Sequence, residues 1–148
     1  MSGNPVYKPA LGDFYGQIRL QCHFYTAGLA VYITLMLTMH LAQVNGWIEG
    51  PSVRCRAEYP VLAAHLVGER VIVVYDYMAF PKNEPARNLF CYDSAGTRLW
   101  RAQDIGMGAT DGYTNVTSEV PLWVGNFSGF NCRIDEQTGD VLEKSFTK

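Results

Sequence analysis

Beyond residue 52, apolar residues come in short runs separated by turn-forming residues. Val61–Val67 and Val71–Tyr75 flank Gly68-Glu69-Arg70. The run Val71-Ile-Val-Val-Tyr75 is continuous and rich in β-branched residues, which predicts a central strand buried on both faces. Pro81 to Pro85 is a polar loop. Asn88 to Asp93 reads as a strand, Ser94 to Gly96 as a turn, and Thr97 to Ala102 as the returning strand. Gly106 to Gly112 is a loop, and Tyr113–Val116, Leu122–Val124, Asn131–Asp135 and Val141–Phe146 complete the strands. Short strands between regular turn signals predict an all-β sheet, sandwich or propeller-like unit over residues 52–148.

The N-terminal third has a different pattern. From Leu20 to Ile48 the chain passes without a single Asp, Glu, Lys or Arg. Residues 24–44 have the length that crosses a hydrocarbon core of about 30 Å. Phe14, Tyr15, Phe24 and Tyr25 lie on one side and Trp47 on the other, as interfacial aromatics do. Thr26, Ala30, Thr34, Thr38 and Ala42 recur every fourth residue, a small and weakly polar stripe suited to close helix packing. Asn45-Gly46 supplies a helix end. The same run also alternates, with Val31, Ile33, Leu35, Leu37, Met39 and Leu41 on one parity. On that pattern residues 17–44 form a buried β-hairpin. Length favours the helix, since a strand running from Leu29 to Val44 would far exceed the usual strand length.

Composition sharpens this division. The 148 residues are 48% hydrophobic and 18% charged with net charge −2, which excludes a disordered chain and gives no basic excess for nucleic acid. The charge deficit sits in the apolar run. The expected organisation is an N-terminal segment (1–23), a transmembrane helix (24–44) and a small mainly β domain (52–148). Lys8 and Arg19 before the helix balance Arg54 and Arg56 after it. Four cysteines without metal or redox spacing favour a reducing compartment, and so a cytoplasmic C-terminal domain.

An internal echo supports the β reading. Phe90-Cys-Tyr-Asp93-Ser-Ala-Gly96-Thr-Arg-Leu99-Trp100 is matched by Asn131-Cys-Arg-Ile-Asp135-Glu-Gln-Thr-Gly139-Asp-Val-Leu142. The interval from Asp93 to Asp135 is a blade-like period. Each aspartate is expected to cap its turn and each glycine to supply a left-handed conformation. At these residues the chain resembles quinoprotein-type β-propeller blades, whose strand pairs read Tyr-Asp-x-x-x-Gly-x-x-x-Trp and Ile-Asp-x-x-Thr-Gly. The resemblance covers about residues 71–146 and implies two small antiparallel sheets, a half-propeller-like unit. Two blades do not close a ring, so no ring cofactor is implied.

The remaining candidates are sparse. His23, His40 and His65 have no metal-site spacing. His40, within the apolar run, is a candidate haem or chlorophyll-type pigment ligand or a polar helix contact. Cys91 and Cys132 occupy nearly equivalent places in the echo, as core thiols or a disulfide. Asn115-Val-Thr and Asn126-Phe-Ser match glycosylation sequons. Trp47, Trp100 and Trp123 are partner-contact candidates, Trp100 and Trp123 equally core anchors. No catalytic group or metal set is indicated. The sequence thus leads to a non-catalytic, single-pass accessory subunit of a larger membrane complex, respiratory or photosynthetic, with membrane subunits and lipid as partners. The alternative is a soluble all-β binding module, immunity-like or regulatory.

Overall fold

The computed structural model describes residues 41–147, and β-strands dominate them. They form three antiparallel sheets, each a meander of sequential strands. The first holds β1 (Ala42–Val44), β2 (Trp47–Gly50) and β3 (Val53–Arg56). The central sheet holds β4 (Val61–Val67), β5 (Arg70–Tyr75), β6 (Leu89–Tyr92) and β7 (Arg98–Arg101). The third holds β8 (Tyr113–Ser118), β9 (Trp123–Asn126), β10 (Phe130–Ile134) and β11 (Val141–Phe146). The two longer connections carry 3-10 turns at Tyr77–Ala79 and Gly108–Thr110.

The central sheet is covered on both faces, which is why β5 reads as an unbroken apolar run. Period-2 alternation sends Ile72, Val74, Leu89, Cys91 and Trp100 to one side, where they pack with Tyr113, Leu122, Val124, Cys132 and Ile134. Val71, Val73, Tyr75, Phe90 and Tyr92 face the other way and pack with Ile48, Val53 and Cys55 of the first sheet. All of Val71 to Tyr75 are fully buried. At about 1.5–3 kcal/mol per buried side chain, this one strand carries much of the hydrophobic stabilisation.

The echoed turns set the spacing of the layers. Asp93 Oδ1 accepts the Ala95 and Thr97 amides at 3.0 and 2.8 Å, and Asp135 Oδ1 accepts the Gln137 amide at 2.7 Å. Gly96 (φ 87) and Gly139 (φ 79) take the left-handed positions. Each glycine then presses on the last strand of the preceding sheet. A Cβ on Gly96 would lie 3.0 Å from the Arg54 carbonyl in β3, and one on Gly139 would lie 2.6 Å from the Trp100 ring in β7. Hydrogen bonds fix both contacts: Arg54 N–H to Ser94 O at 3.3 Å, and Trp100 Nε1–H to Glu136 O at 2.9 Å. The repeat in the sequence is therefore a repeat in how one sheet docks on the next.

The end of the expected membrane helix is corrected. Ala42–Val44 is strand β1, paired with β2 through Ala42↔Glu49 and Val44↔Trp47. Asn45 (φ 50) and Gly46 (φ 80) are both left-handed, the backbone of a two-residue hairpin turn, so this dipeptide reverses a strand instead of ending a helix. Among the described residues, β structure is accordingly present from Ala42, ahead of the boundary expected at 52. Residues 24–40 of the expected helix, with Thr26, Ala30, Thr34, Thr38 and His40, lie outside the described residues, as does all but the end of the alternative hairpin. Among the described residues no helix is long and apolar enough to cross a membrane.

Candidate functional site

The central sheet's edge strand carries the richest surface chemistry. Phe90 pairs with Arg101 and Tyr92 with Arg98, with a register shift between Cys91 and Tyr92. Residues three apart on a regular strand face opposite ways. The extra residue at this shift places both arginines on the face that carries Phe90 and Tyr92. Leu99 is left exposed. The Arg101 guanidinium lies 5.2 Å from the centre of the Phe90 ring and 5.5 Å from that of Phe80. Arg98 lies 5.6 Å from Phe90. Tyr59 adjoins Phe80 at 4.5 Å and Tyr75 at 5.4 Å, and is 38% exposed. Two cations and a tyrosine thus lie over a buried aromatic core.

Arg101 is oriented by backbone. Its Nε–H donates to Arg87 O at 2.8 Å and its Nη2 to Ala86 O at 2.9 Å. Arg87 reciprocates, donating Nε–H to Ala102 O at 3.1 Å. Arg87 also has φ 46, a conformation that is uncommon and strained for a residue with a Cβ. The clasp brings like charges together. Partial burial lowers the Arg101 pKa, and so do the charges of Arg87 and Arg98, while Tyr59 and Glu84 oppose them. Arg98 has a carboxylate partner, Glu58, at 3.4 Å. Among the described residues no carboxylate lies within 4.0 Å of Arg87 or Arg101.

Beneath this surface is a closed ring of hydrogen bonds. Glu58 N–H donates to the Tyr75 hydroxyl at 3.2 Å, the Tyr75 and Tyr92 hydroxyls are 2.7 Å apart, and Tyr92 O–H donates to Glu58 Oε1 at 2.7 Å. The Tyr75 proton is then assigned to Tyr92, because each hydroxyl gives one bond and receives one. Burial pushes both tyrosine pKa values up. The Glu58 carboxylate therefore anchors Tyr92 below and Arg98 above.

The residues singled out in the sequence are dispersed. Trp47 is half-buried on the first sheet, with the Arg54 guanidinium 4.5 Å from its ring centre. Trp123 is half-buried on the third sheet, opposite Arg133. Trp100 is buried between the central and third sheets. Ala42 lies exposed on β1. Cys55, Cys91 and Cys132 are buried free thiols. His65 Nδ1 lies 2.9 Å from Glu119 Oε1, beside an open depression of about 510 Å³. Asn126 of the second sequon is buried and donates to Asp111 Oδ1 at 2.8 Å. Among the described residues, no three His, Cys, Asp or Glu side chains come together as metal ligands.

Sequence reasoning missed the arginine–aromatic surface and two buried polar hubs. Asn88 donates to Tyr75 O and Tyr113 O at 2.5 and 2.7 Å and accepts from Tyr113 N–H at 2.8 Å, tying the central sheet to the third. Asp111 Oδ2 accepts the Ile105 and Met107 amides at 2.7 and 3.2 Å, holding the loop between β7 and β8. The available signal was Arg98-Leu-Trp-Arg101: two arginines flanking a buried Trp have one parity only if the strand bulges.

Fold and site define a small all-β domain of stacked antiparallel meanders with an arginine–aromatic edge. Residues 41–146 match the family described as a domain of unknown function (DUF7957), and the chain belongs to that family. No curated protein and no solved structure matches it.

Proposed function

We propose that this domain is a non-catalytic protein-binding module whose contact surface is the β7 edge with Tyr59. One observation carries the reading: Arg98, Arg101 and Tyr59 are displayed over an aromatic core, with Arg101 held by backbone acceptors. Tyr and Arg over a desolvated floor make the composition of binding hot spots, and pre-orientation reduces the entropy lost on docking. A photo-crosslinking residue in place of Tyr59 or Leu99 should give a discrete product in the native cell extract. One in place of Leu142, exposed on the third sheet, should not. Loss of that distinction overturns the reading.

The charge-free run from Leu20 to Ile48 favours a second reading, in which the same module serves a membrane complex as an accessory subunit. Recovery of the full chain in the soluble fraction without detergent rejects it. The likeness to quinoprotein-type blades is supported by two four-stranded meanders whose Asp–Gly turns join the third and fourth strands. It concerns blade architecture and brings no cofactor.

A further inference from the structure

We propose that the Arg87–Arg101 clasp is a carboxylate-binding subsite that receives an acidic segment of a partner protein. The inference rests on the binding-module reading above and names the chemistry of its partner. Three observations lead to it. The first is unbalanced charge: two arginines are tied by hydrogen bonds to each other's segments with no carboxylate within 4.0 Å among the described residues, Glu84 acting on Arg101 only from farther off, on a chain whose net charge is −2. The third arginine, Arg98, already has Glu58. The second is orientation. Arg101 spends its Nε and one Nη2 hydrogen on the carbonyls of Arg87 and Ala86, and Arg87 spends its Nε on Ala102. The Nη1 edge of Arg101 and the Nη groups of Arg87 keep donors for an incoming anion. A guanidinium fork matches the two oxygens of a carboxylate, which an ammonium does not. The third is the left-handed backbone at Arg87, a strained non-glycine position that keeps its carbonyl on Arg101 Nε. Tyr59, 38% exposed and packed on the buried Phe80 beneath Arg101, supplies apolar contact for the segment flanking its carboxylates.

The test uses the full chain and a capped peptide of alternating Asp and Glu, followed by ¹⁵N NMR of the arginine side chains. The Nε–H signals of Arg87 and Arg101, protected by their carbonyl bonds, should shift saturably with the acidic peptide. They should stay put with a Lys peptide of equal length. Arg101→Gln and Arg87→Gln should each weaken binding about tenfold, one bidentate charged contact being worth at least about 1.4 kcal/mol. Arg133→Gln on the third sheet should leave it unchanged. Arg101→Lys keeps the charge without the fork and should bind clearly less well than the parent chain. Absence of saturable shifts in the unmodified chain overturns the proposal without depending on any variant's folding. So do equal affinities in Arg101→Gln and Arg133→Gln, and so do inorganic phosphate shifts as large as those from the peptide at equal concentration. If Tyr59 cross-links a partner that the acidic peptide does not displace, the carboxylate subsite falls and the binding module stands. If the peptide binds but no discrete cross-link forms, the clasp takes carboxylates, and the binding-module reading falls together with the partner segment that rests on it.

Discussion

Single buried polar side chains carry unequal burdens in this fold. Asn88 is fully buried, and its amide satisfies three backbone groups belonging to two sheets. Removing it leaves Tyr75 O, Tyr113 O and Tyr113 N–H without those bonds in a dry interior. At about 1–3 kcal/mol per unsatisfied buried group, discounted for local relaxation, Asn88→Ala should destabilise the domain by about 3 kcal/mol. Tyr92→Phe removes the donor to Glu58 and the acceptor of Tyr75 but keeps the ring. Its loss should be smaller, about 2 kcal/mol. Thr117→Val on the exposed face of β8 should stay within about 0.5 kcal/mol. Urea unfolding of the three variants would measure the order. A Thr117 variant as damaging as Asn88→Ala would mean the Asn88 network does not hold the sheets together.

At the scale of strands and turns, two glycines separate conformation from packing. Gly46 (φ +80) and Gly139 (φ +79) share a left-handed backbone, but a Cβ at Gly46 meets nothing within 4 Å whereas one at Gly139 meets the Trp100 ring. Gly46→Ala should therefore cost about 1 kcal/mol from conformation alone. Gly139→Ala adds overpacking against an indole and should cost about 3 kcal/mol. Equal losses in denaturant melts would refute the docking role given to the β10–β11 turn. The same two turns show what the sequence made legible. Gly139 follows Asp135 by four residues much as Gly96 follows Asp93 by three, so the echo predicted both turns and the strands around them. Val71–Tyr75 was legible because burial on both faces leaves a run without polar interruption. Gly46 was misread because it lies near the end of a charge-free run of membrane length, where Asn45-Gly46 fits a helix end as well as a hairpin turn. β1 to β3 were missed with it. The arginine–aromatic site was hidden for another reason. Arg98 and Arg101 share a face only through a register shift, and Arg87 reaches them from the loop before β6. Neither relation has a period that a linear pattern can display.

For the whole molecule, stacking two cores around one sheet places acids where their charged forms are not solvated. Burial pushes the Cys91 and Cys132 thiols up to about 11 from an ordinary value of 9.0, and raises those of Cys55, Tyr75, Tyr92 and Tyr113 as well. In each case the folded chain holds a proton that the unfolded chain releases at lower pH, so the unfolded state gains stability by ionising first. The contribution is complete below pH 9 and is lost as pH rises towards 11. At about 1.4 kcal/mol for each pH unit between the two values, the two thiols together account for about 5 kcal/mol as an upper figure. The tyrosines extend the same trend above pH 10. The urea midpoint should therefore be level from about pH 6 to 8 and fall steeply from pH 9 to 11, ahead of any tyrosinate absorbance from Tyr75, Tyr92 or Tyr113. Replacing Cys91 and Cys132 together by Ala lowers the plateau through lost packing, yet it should flatten the slope between pH 9 and 11. A double variant that keeps the full alkaline slope would place its origin outside the two cores. Alkylation at pH 8 read residue by residue gives the independent check: Cys91 and Cys132 should stay unmodified until the sheets separate, because a thiol held neutral between packed layers presents neither the thiolate nor the access that the reagent needs.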